Sequence, residues 1–163
     1  MKWITITIFL LLPFFSFSQD DNSHKNGIGL HLAYDGNNGL IGGVRYSRQT
    51  GNGGIAKFEF NSNGNGVYFG RVGYEFLQLR FGNLEFGTGL NLKYTHRNLA
   101  KIGFTPYKEL ALEVPLEIRF HLSSEFSLYS GLSFSQLLSK RGKNRGSLHN
   151  TVSEIRLGVG YRF

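Results

Sequence analysis

The stretch Glu109 to Leu122, ELALEVPLEIRFHL, carries two chemically opposite faces in one run of alternating residues. One parity is entirely apolar, and the other holds charged residues that include Glu113, Glu117 and Arg119. Because successive side chains leave a β-strand on opposite faces, this period of two predicts a strand. At about 3.3 Å per residue, a tilted strand of this length crosses a hydrocarbon layer about 30 Å thick. The apolar face therefore meets either lipid or a protein core.

The same alternation recurs along the chain between turns rich in glycine and asparagine. Such turns lie at residues 36–39, 51–54 and 82–83, and the segments between them show no helical periodicity. We count eight strands, with tight connections alternating with longer ones in the second half of the chain. This pattern predicts an all-β, antiparallel up-and-down meander whose long loops lie at one end.

The N-terminus indicates export. Lys2 precedes an almost unbroken apolar run, residues 4–17, which ends in small and polar residues. This is the pattern of a secretory signal peptide, so we expect residues 1–19 to be removed. Residues 20–26 are then a flexible leader, and residues 27–163 form one barrel domain. The absence of cysteine excludes a disulfide scaffold and a cysteine-ligated metal site.

Two folds share this alternation and give it opposite meanings. In a soluble, lipocalin-like carrier the apolar face lines an inner cavity, whereas in a transmembrane barrel it meets lipid and the charges face the lumen. The polar parity favours the second fold because its acids and bases balance, as a narrow lumen filled with ion pairs requires. The acids are Glu59, Glu75, Glu85, Glu109, Glu113, Glu117 and Glu154, and the bases are Arg45, Lys57, Arg71, Lys93, Arg119, Arg156 and Arg162. We therefore predict a monomeric, eight-stranded antiparallel up-and-down transmembrane β-barrel in a Gram-negative outer membrane.

Aromatic residues at the strand ends fit the same prediction. They are Tyr34, Tyr46, Tyr68, Tyr94 and Tyr161, and they are placed as the aromatic girdles of membrane barrels are. The chain ends on the alternating run Leu157 to Phe163. That ending resembles the closing strand of outer-membrane barrels, so we expect the outer-membrane assembly machinery to recognise the C-terminal strand through Phe163.

The segment Tyr107 to Arg141, YKELALEVPLEIRFHLSSEFSLYSGLSFSQLLSKR, resembles the PorT-type outer-membrane β-barrel family of Bacteroidota. The matching features are the strand Leu112 to Phe120, a short turn, and an aromatic-rich strand with a central glycine at Gly131. The resemblance implies an eight-stranded barrel without a known active site. A few members of the family take part in protein secretion and gliding.

Two positions interrupt the regular strand pattern. The apolar parity slips at Phe76-Leu77, which predicts a β-bulge there. Pro115 cannot donate a hydrogen bond to a neighbouring strand, and a closed barrel has no edge strand on which to place it. We therefore predict a second local bulge beside Pro115.

The charged residues offer few catalytic arrangements. Glu113 and Glu117 share a face and could form an acid/base pair, but the bases on the same parity favour a structural ion network. His121 and Ser123 have the spacing of the His-x-Ser pair of barrel lipid A deacylases. The expected topology places that pair at the periplasmic side, away from the outer leaflet, and no matching glutamate accompanies it. Because the 5 histidines also lack metal-ligand spacing, we expect no enzyme, no cofactor and no metal.

The remaining cations concentrate in two long loops that the topology places outside the cell. They are Arg97, Lys101, Lys108, Lys140, Arg141, Lys143 and Arg145, with Asp35 as the one acid near them. Such a basic collar would face the phosphates of lipopolysaccharide, where several modest contacts add, or it would contact a secretion partner. The alternative is a solvated basic surface without a specific ligand. Although the net charge is +7, no basic helix is available to enter a groove, so nucleic acid is not an expected partner.

Overall fold

Eight antiparallel strands form the protein, in a computed structural model that describes residues 25–36, 38–51, 53–64, 66–98, 106–141 and 152–163. The strands are β1 (Asn26–Asp35), β2 (Gly39–Gln49), β3 (Ile55–Ser62), β4 (Val67–Phe81), β5 (Leu84–Arg97), β6 (Tyr107–His121), β7 (Phe126–Arg141) and β8 (Val152–Arg162). They follow one another in chain order around a closed barrel, and β1 pairs with β8. The predicted up-and-down barrel is confirmed. Within the ranges given above, no helix is long and apolar enough to cross a bilayer.

The N-terminal boundary of the barrel differs slightly from the prediction. Asn26, assigned to the flexible leader, is the first residue of β1. Its backbone N–H donates to the carbonyl of Phe163 over 3.1 Å, and the N–H of Phe163 donates back over 2.9 Å. The C-terminal residue therefore helps to close the seam between β1 and β8. The predicted signal peptide lies outside the described residues, as does the leader up to residue 24.

The alternation of the sequence places apolar side chains on the outside of the barrel. On β6, Leu116 and Ile118 are exposed by 46% and 45%, whereas Glu113 and Glu117 are buried. The same division holds on the other strands, so the barrel carries an apolar band all round its outer surface. An apolar surface of this extent is accounted for by contact with lipid. The alternative of a soluble carrier with an apolar inner cavity is therefore wrong.

The turns at one end of the barrel and the bulge in β4 follow the predicted pattern. Gly82, in the turn between β4 and β5, has a φ of 59°, a backbone conformation that glycine adopts without strain. In the ladder between β4 and β5, the register shifts between Glu75 and Leu77. This shift confirms the β-bulge predicted at Phe76-Leu77.

The bulge predicted beside Pro115 is wrong. Pro115 pairs with Ser133 of β7 in unbroken register. On its other side, the ladder between β5 and β6 skips Pro115 and Val114 and resumes without a register shift. The pairing to β5 lapses at the proline, which has no N–H to donate, and the hydroxyl of Thr88 donates to the carbonyl of Pro115 over 2.7 Å. No extra residue is needed to accommodate it.

A glycine on β5 allows close approach of the backbone at this irregular position. A Cβ atom on Gly89 would lie 2.1 Å from the carbonyl oxygen of Tyr74 and 2.7 Å from the Cα atom of Glu75. Both atoms belong to the backbone of β4, at the start of its bulge. The bulge of β4, the glycine of β5 and the proline of β6 therefore form one connected irregular region across three strands.

Candidate functional site

The lumen is filled by a network of ion pairs, with Arg71 at its centre. The Arg71 guanidinium lies 3.1 Å from the carboxylate of Glu59 and 2.6 Å from that of Glu113, and it also contacts Glu154. Arg71 is 2% exposed and Glu113 is fully buried. Burying such charges costs free energy unless each is paired and hydrogen-bonded. The planar guanidinium satisfies this condition because its several N–H groups can serve more than one carboxylate.

A second group of ion pairs fills the end of the lumen near the β6–β7 turn, which we call the inner end. Arg119 contacts Glu75 and Glu85 and reaches Glu117 at 2.7 Å. Arg45 and Lys57 lie 2.8 Å and 3.3 Å from the same Glu117. Glu117 is thus a carboxylate shared by three bases. Arg162 is more exposed and lies 3.5 Å from Glu85 at the rim.

Arg156 joins the central ion pairs to one another. Its guanidinium lies 2.7 Å from Glu59 and 3.1 Å from Glu154, and both carboxylates also contact Arg71. The inward-facing charges therefore form a connected network. Glu113 and Glu117 belong to different parts of it, because each is held by its own set of bases.

The opposite end of the barrel, which carries the β5–β6 and β7–β8 connections, is called the outer end. Two residues expected near its loops lie inside instead. Asp35 is 2% exposed and accepts a hydrogen bond from Lys93 over 3.1 Å. Arg97 is the last residue of β5, and its guanidinium lies 3.7 Å from the carboxylate of Glu109. The prediction that Arg97 belongs to the basic collar is wrong, because its parity on β5 directs it into the lumen.

An apolar cluster at the outer end was not predicted from the sequence. Ile41, Val67 and Phe69 are buried together inside the barrel, where the parity is otherwise polar. The Phe69 ring centroid lies 4.6 Å from the guanidinium carbon of Arg71 and 4.5 Å from the ammonium of Lys93. Such contacts place cations over the negative face of the ring. An apolar residue on the charged parity was the signal that could have revealed this cluster.

A polar cluster also fills the lumen beside the ion network. The ring of His31 contacts the Asn61 side chain at one nitrogen and the Tyr129 hydroxyl, 3.3 Å away, at the other. The Tyr129 ring lies 4.3 Å from the guanidinium carbon of Arg45. A cavity of about 50 Å³ remains between Tyr129 and the inner cations Lys57 and Arg119, which is room for one or two water molecules. Side chains therefore occupy most of the lumen.

The His121 and Ser123 side chains have separate partners. The Nε2 atom of His121 lies 2.9 Å from the Glu85 carboxylate, a partner that the sequence analysis did not find. The Ser123 hydroxyl accepts the backbone N–H groups of Glu125 and Phe126 over 3.2 Å and 3.0 Å. These contacts give the serine a role in the β6–β7 turn. No group of three or more potential metal-binding side chains occurs in the part of the chain that the structure describes.

The described cations at the outer rim lie on strands and not in loops. Lys108 is the second residue of β6, and Lys140 and Arg141 end β7. Their predicted loop positions are wrong because β6 and β7 continue to pair beyond their apolar segments, up to the pair of Lys108 with Arg141. Lys101, Lys143 and Arg145 lie outside the described residues.

The fold is similar to those of solved transmembrane β-barrels. The N-terminal β-barrel domain of Pseudomonas aeruginosa OprF matches with a TM-score of 0.66 at 9% identity, covering 86% of this chain and 98% of that one. A barrel from the de novo design of transmembrane β-barrels matches with a TM-score of 0.60 at 10% identity, covering 90% and 100%. The designed barrel TMB2.3 gives 0.56 at 13% identity, covering 88% and 98%. No protein-family profile and no curated protein matches the sequence.

These likenesses define the class of the protein by its fold. The chain forms an eight-stranded transmembrane β-barrel of the outer-membrane type. Because identity to these barrels is low, they indicate how the chain folds and leave its function to be argued from its own surfaces.

Proposed function

We propose that this protein is an exported, monomeric barrel of the outer membrane that acts as a structural or binding protein of the cell envelope. The observation that carries the proposal is the occupied lumen, where Arg71 alone contacts three carboxylates. An eight-stranded barrel has an interior just wide enough for side chains, and here those side chains are ion-paired. A solute pore is therefore disfavoured, and function falls to the surfaces of the barrel.

The outer end is the surface on which we place that function. Its long connections carry Lys101, Lys143 and Arg145, and the exposed residues Lys108 and Arg141 lie at the adjoining strand ends. Clustered cations at a membrane surface attract anionic lipid, each adding a modest contribution. The proposed ligand is lipopolysaccharide in the outer leaflet.

Membership of the PorT-type family is part of the same proposal. It is supported by the strand Leu112 to Phe120 and by its pairing with β7 across a short turn, the arrangement that the family resemblance implies. The assembly machinery of the outer membrane is the proposed partner during insertion. Phe163 supports this role, because it directly follows β8 and its backbone exchanges two hydrogen bonds with Asn26 of β1.

The experiment combines localisation with conductance. The full chain, expressed in a Gram-negative host, should fractionate with the outer membrane, require detergent for extraction and migrate faster on gels before boiling than after it. In planar bilayers the purified barrel should show no stable conductance steps. A protein found in the soluble periplasmic fraction, or one that forms steady open pores, would contradict the proposal.

Lipopolysaccharide binding is tested with a loop variant in which Lys101, Lys143 and Arg145 are all replaced by Ser. The variant should retain less lipopolysaccharide in a pull-down from detergent, and the loss should shrink as salt is raised because exposed charges are screened. Retention that stays unchanged in this variant, and also after Lys108 and Arg141 are replaced with Ser, would favour the alternative of a solvated basic surface without a ligand.

A further inference from the structure

On the outward face of the outer rim, the strands that the structure describes carry no carboxylate. Of the chain's 11 acidic residues, Asp20 and Asp21 precede the barrel, and Glu125 lies in the β6–β7 turn at the inner end. The others are Asp35, Glu59, Glu75, Glu85, Glu109, Glu113, Glu117 and Glu154, and each contacts a base inside the barrel. The sequences of the four outer connections contain no acid at all. Lys108 and Arg141 therefore have no carboxylate on their own face of the described strands.

Three basic side chains form one row across β5, β6 and β7 at this rim. Lys108 pairs directly with His96 on β5 and directly with Arg141 on β7. Directly opposed residues share one face of the sheet, with Cβ atoms about 4.5–5.5 Å apart. Lys108 and Arg141 are exposed, and like charges placed directly opposite each other destabilise a sheet. The fold thus holds two cations side by side on its outer surface, an arrangement that a bound anion would stabilise.

The position of the row identifies the kind of anion. His96 pairs with Tyr68 on its other side and follows Tyr94 on the outward face of β5. Tyrosines on the outside of a membrane barrel mark the level of the lipid headgroups. Directly toward the membrane from Lys108 lie the outward apolar residues Leu110 and Leu112. A ligand at this row would place its charged group among the cations and its acyl chains along the apolar strand surface.

We propose that His96, Lys108 and Arg141 form a lateral binding site for the phosphate of a lipid headgroup in the outer leaflet. The inference rests on the proposed function and assigns a phosphate contact to the strand ends that adjoin the loops. The guanidinium of Arg141 offers two parallel N–H donors to one phosphate, and the ammonium of Lys108 offers a point charge to the same group. The strand register holds the two together, which lowers the entropy lost on binding.

The test measures binding of diphosphorylated lipid A to the purified barrel in detergent. Replacing Lys108 and Arg141 with Ser should raise the Kd roughly fivefold, equivalent to about 1 kcal/mol. The matched control replaces Arg48 and Arg80, exposed cations at the inner end, with Ser. This control removes the same formal charge and should change the Kd less than twofold. Lipid A without its phosphates should bind wild type and the row variant equally, and millimolar inorganic phosphate should not displace the lipid.

A second variant separates loss of the site from loss of the fold. Lys108→Glu places a carboxylate opposite Arg141, an opposite-charge pair that stabilises a sheet. The variant should keep the heat-modifiable gel mobility of the folded barrel and still bind lipid A at least fivefold more weakly. Tight binding by this folded variant would overturn the inference.

The remaining outcomes distinguish the inference from the function on which it rests. If the row variant binds as wild type does while the Lys101, Lys143 and Arg145 variant loses affinity, the site lies in the loops. The inference would then fail and the lipopolysaccharide role would stand. Equal losses in the row variant and the Arg48 and Arg80 control would also overturn the inference, by showing a general charge effect.

If wild type does not distinguish phosphorylated from dephosphorylated lipid A, both proposals fail. Displacement by inorganic phosphate would exclude a site built for lipid.

Discussion

Replacing Arg71 with Met removes the central cation of the lumen while keeping a side chain of similar length. Arg71 contacts Glu59, Glu113 and Glu154. After the change, Glu59 and Glu154 keep Arg156 as a partner, and Glu113 keeps Lys93 at 3.3 Å. The three carboxylates therefore stay partly paired, but one negative charge in the network loses its counter-ion.

The cost follows from that uncompensated charge. Removing one partner of a buried ion pair destabilises a protein by about 3–5 kcal/mol, because the other partner remains desolvated. Because the carboxylates keep other contacts, we expect Arg71→Met to lower the free energy of unfolding by about 3 kcal/mol, the lower end of that range. This is roughly a hundredfold change in the unfolding equilibrium constant. Adding Glu113→Gln removes the surplus charge, so the double variant should be more stable than the sum of the single effects by about 1 kcal/mol or more.

Denaturant titration of the barrel in lipid vesicles measures these differences. The folded fraction can be read from far-UV circular dichroism and from heat-modifiable gel mobility, since the chain's single tryptophan, Trp3, lies in the predicted signal peptide. Arg48→Met is the matched control, because Arg48 is exposed at the inner end and should tolerate the change. If Arg71→Met lowers the free energy of unfolding by no more than Arg48→Met does, the lumen charges are not held as an interdependent network.

The remaining predictions concern the apolar cluster and the irregular region. Phe69→Ala should destabilise the barrel by about 3–5 kcal/mol, because Phe69 is 1% exposed. The same denaturant titration measures this loss, and a variant as stable as wild type would contradict the packing of Phe69 inside the barrel. The variant should also admit small ions, seen as brief conductance events in planar bilayers. Gly89→Ala should cost about 1–3 kcal/mol, since its Cβ would lie 2.1 Å from the Tyr74 carbonyl oxygen. Gly42→Ala, whose Cβ meets nothing within 4 Å, should leave stability unchanged, and equal effects of the two changes would contradict the close approach at Gly89.

The architecture of the barrel follows from local features of the sequence. A period of two fixes which side chains share a face, and glycine-rich turns separate the strands, so the number and order of strands could be predicted. The choice between lipid and core for the apolar face depended on charge balance within one parity. Ions can fill a narrow lumen only when they neutralise one another, which is why counting acids and bases along the strands was informative.

The errors arose where pairing between strands decides the outcome. Pro115 was expected to require a bulge, but the ladder to β5 opens locally and leaves the register unchanged. Arg97 was assigned to a loop because the ends of strands carry weak periodicity, yet continued pairing directs it into the lumen. The partners of each lumen charge depend on the stagger between distant strands. One-dimensional alternation identifies the inward residues but contains no information on that stagger.

The apolar cluster at the outer end was missed for a related reason. Ile41 lies on β2, and Val67 and Phe69 lie at the start of β4, on strands whose inward parity otherwise carries charges and small or polar residues. Taken alone, each one has the sequence pattern of a residue at the end of a strand. Only the closure of the barrel brings them together, with Phe69 against Arg71 and Lys93.

The central claim is that the apolar parity faces lipid and the charged parity faces a filled lumen. It is tested by placing a single tryptophan on each face of an otherwise tryptophan-free mature chain and measuring quenching by brominated lipids. Ile118 is 45% exposed on the outside of β6 and Tyr129 is 5% exposed inside β7. In vesicles of brominated phospholipid, the indole of Ile118→Trp should lose most of its fluorescence and that of Tyr129→Trp should be nearly unaffected. Quenching of the Tyr129→Trp indole with protection of the Ile118→Trp indole would contradict the account.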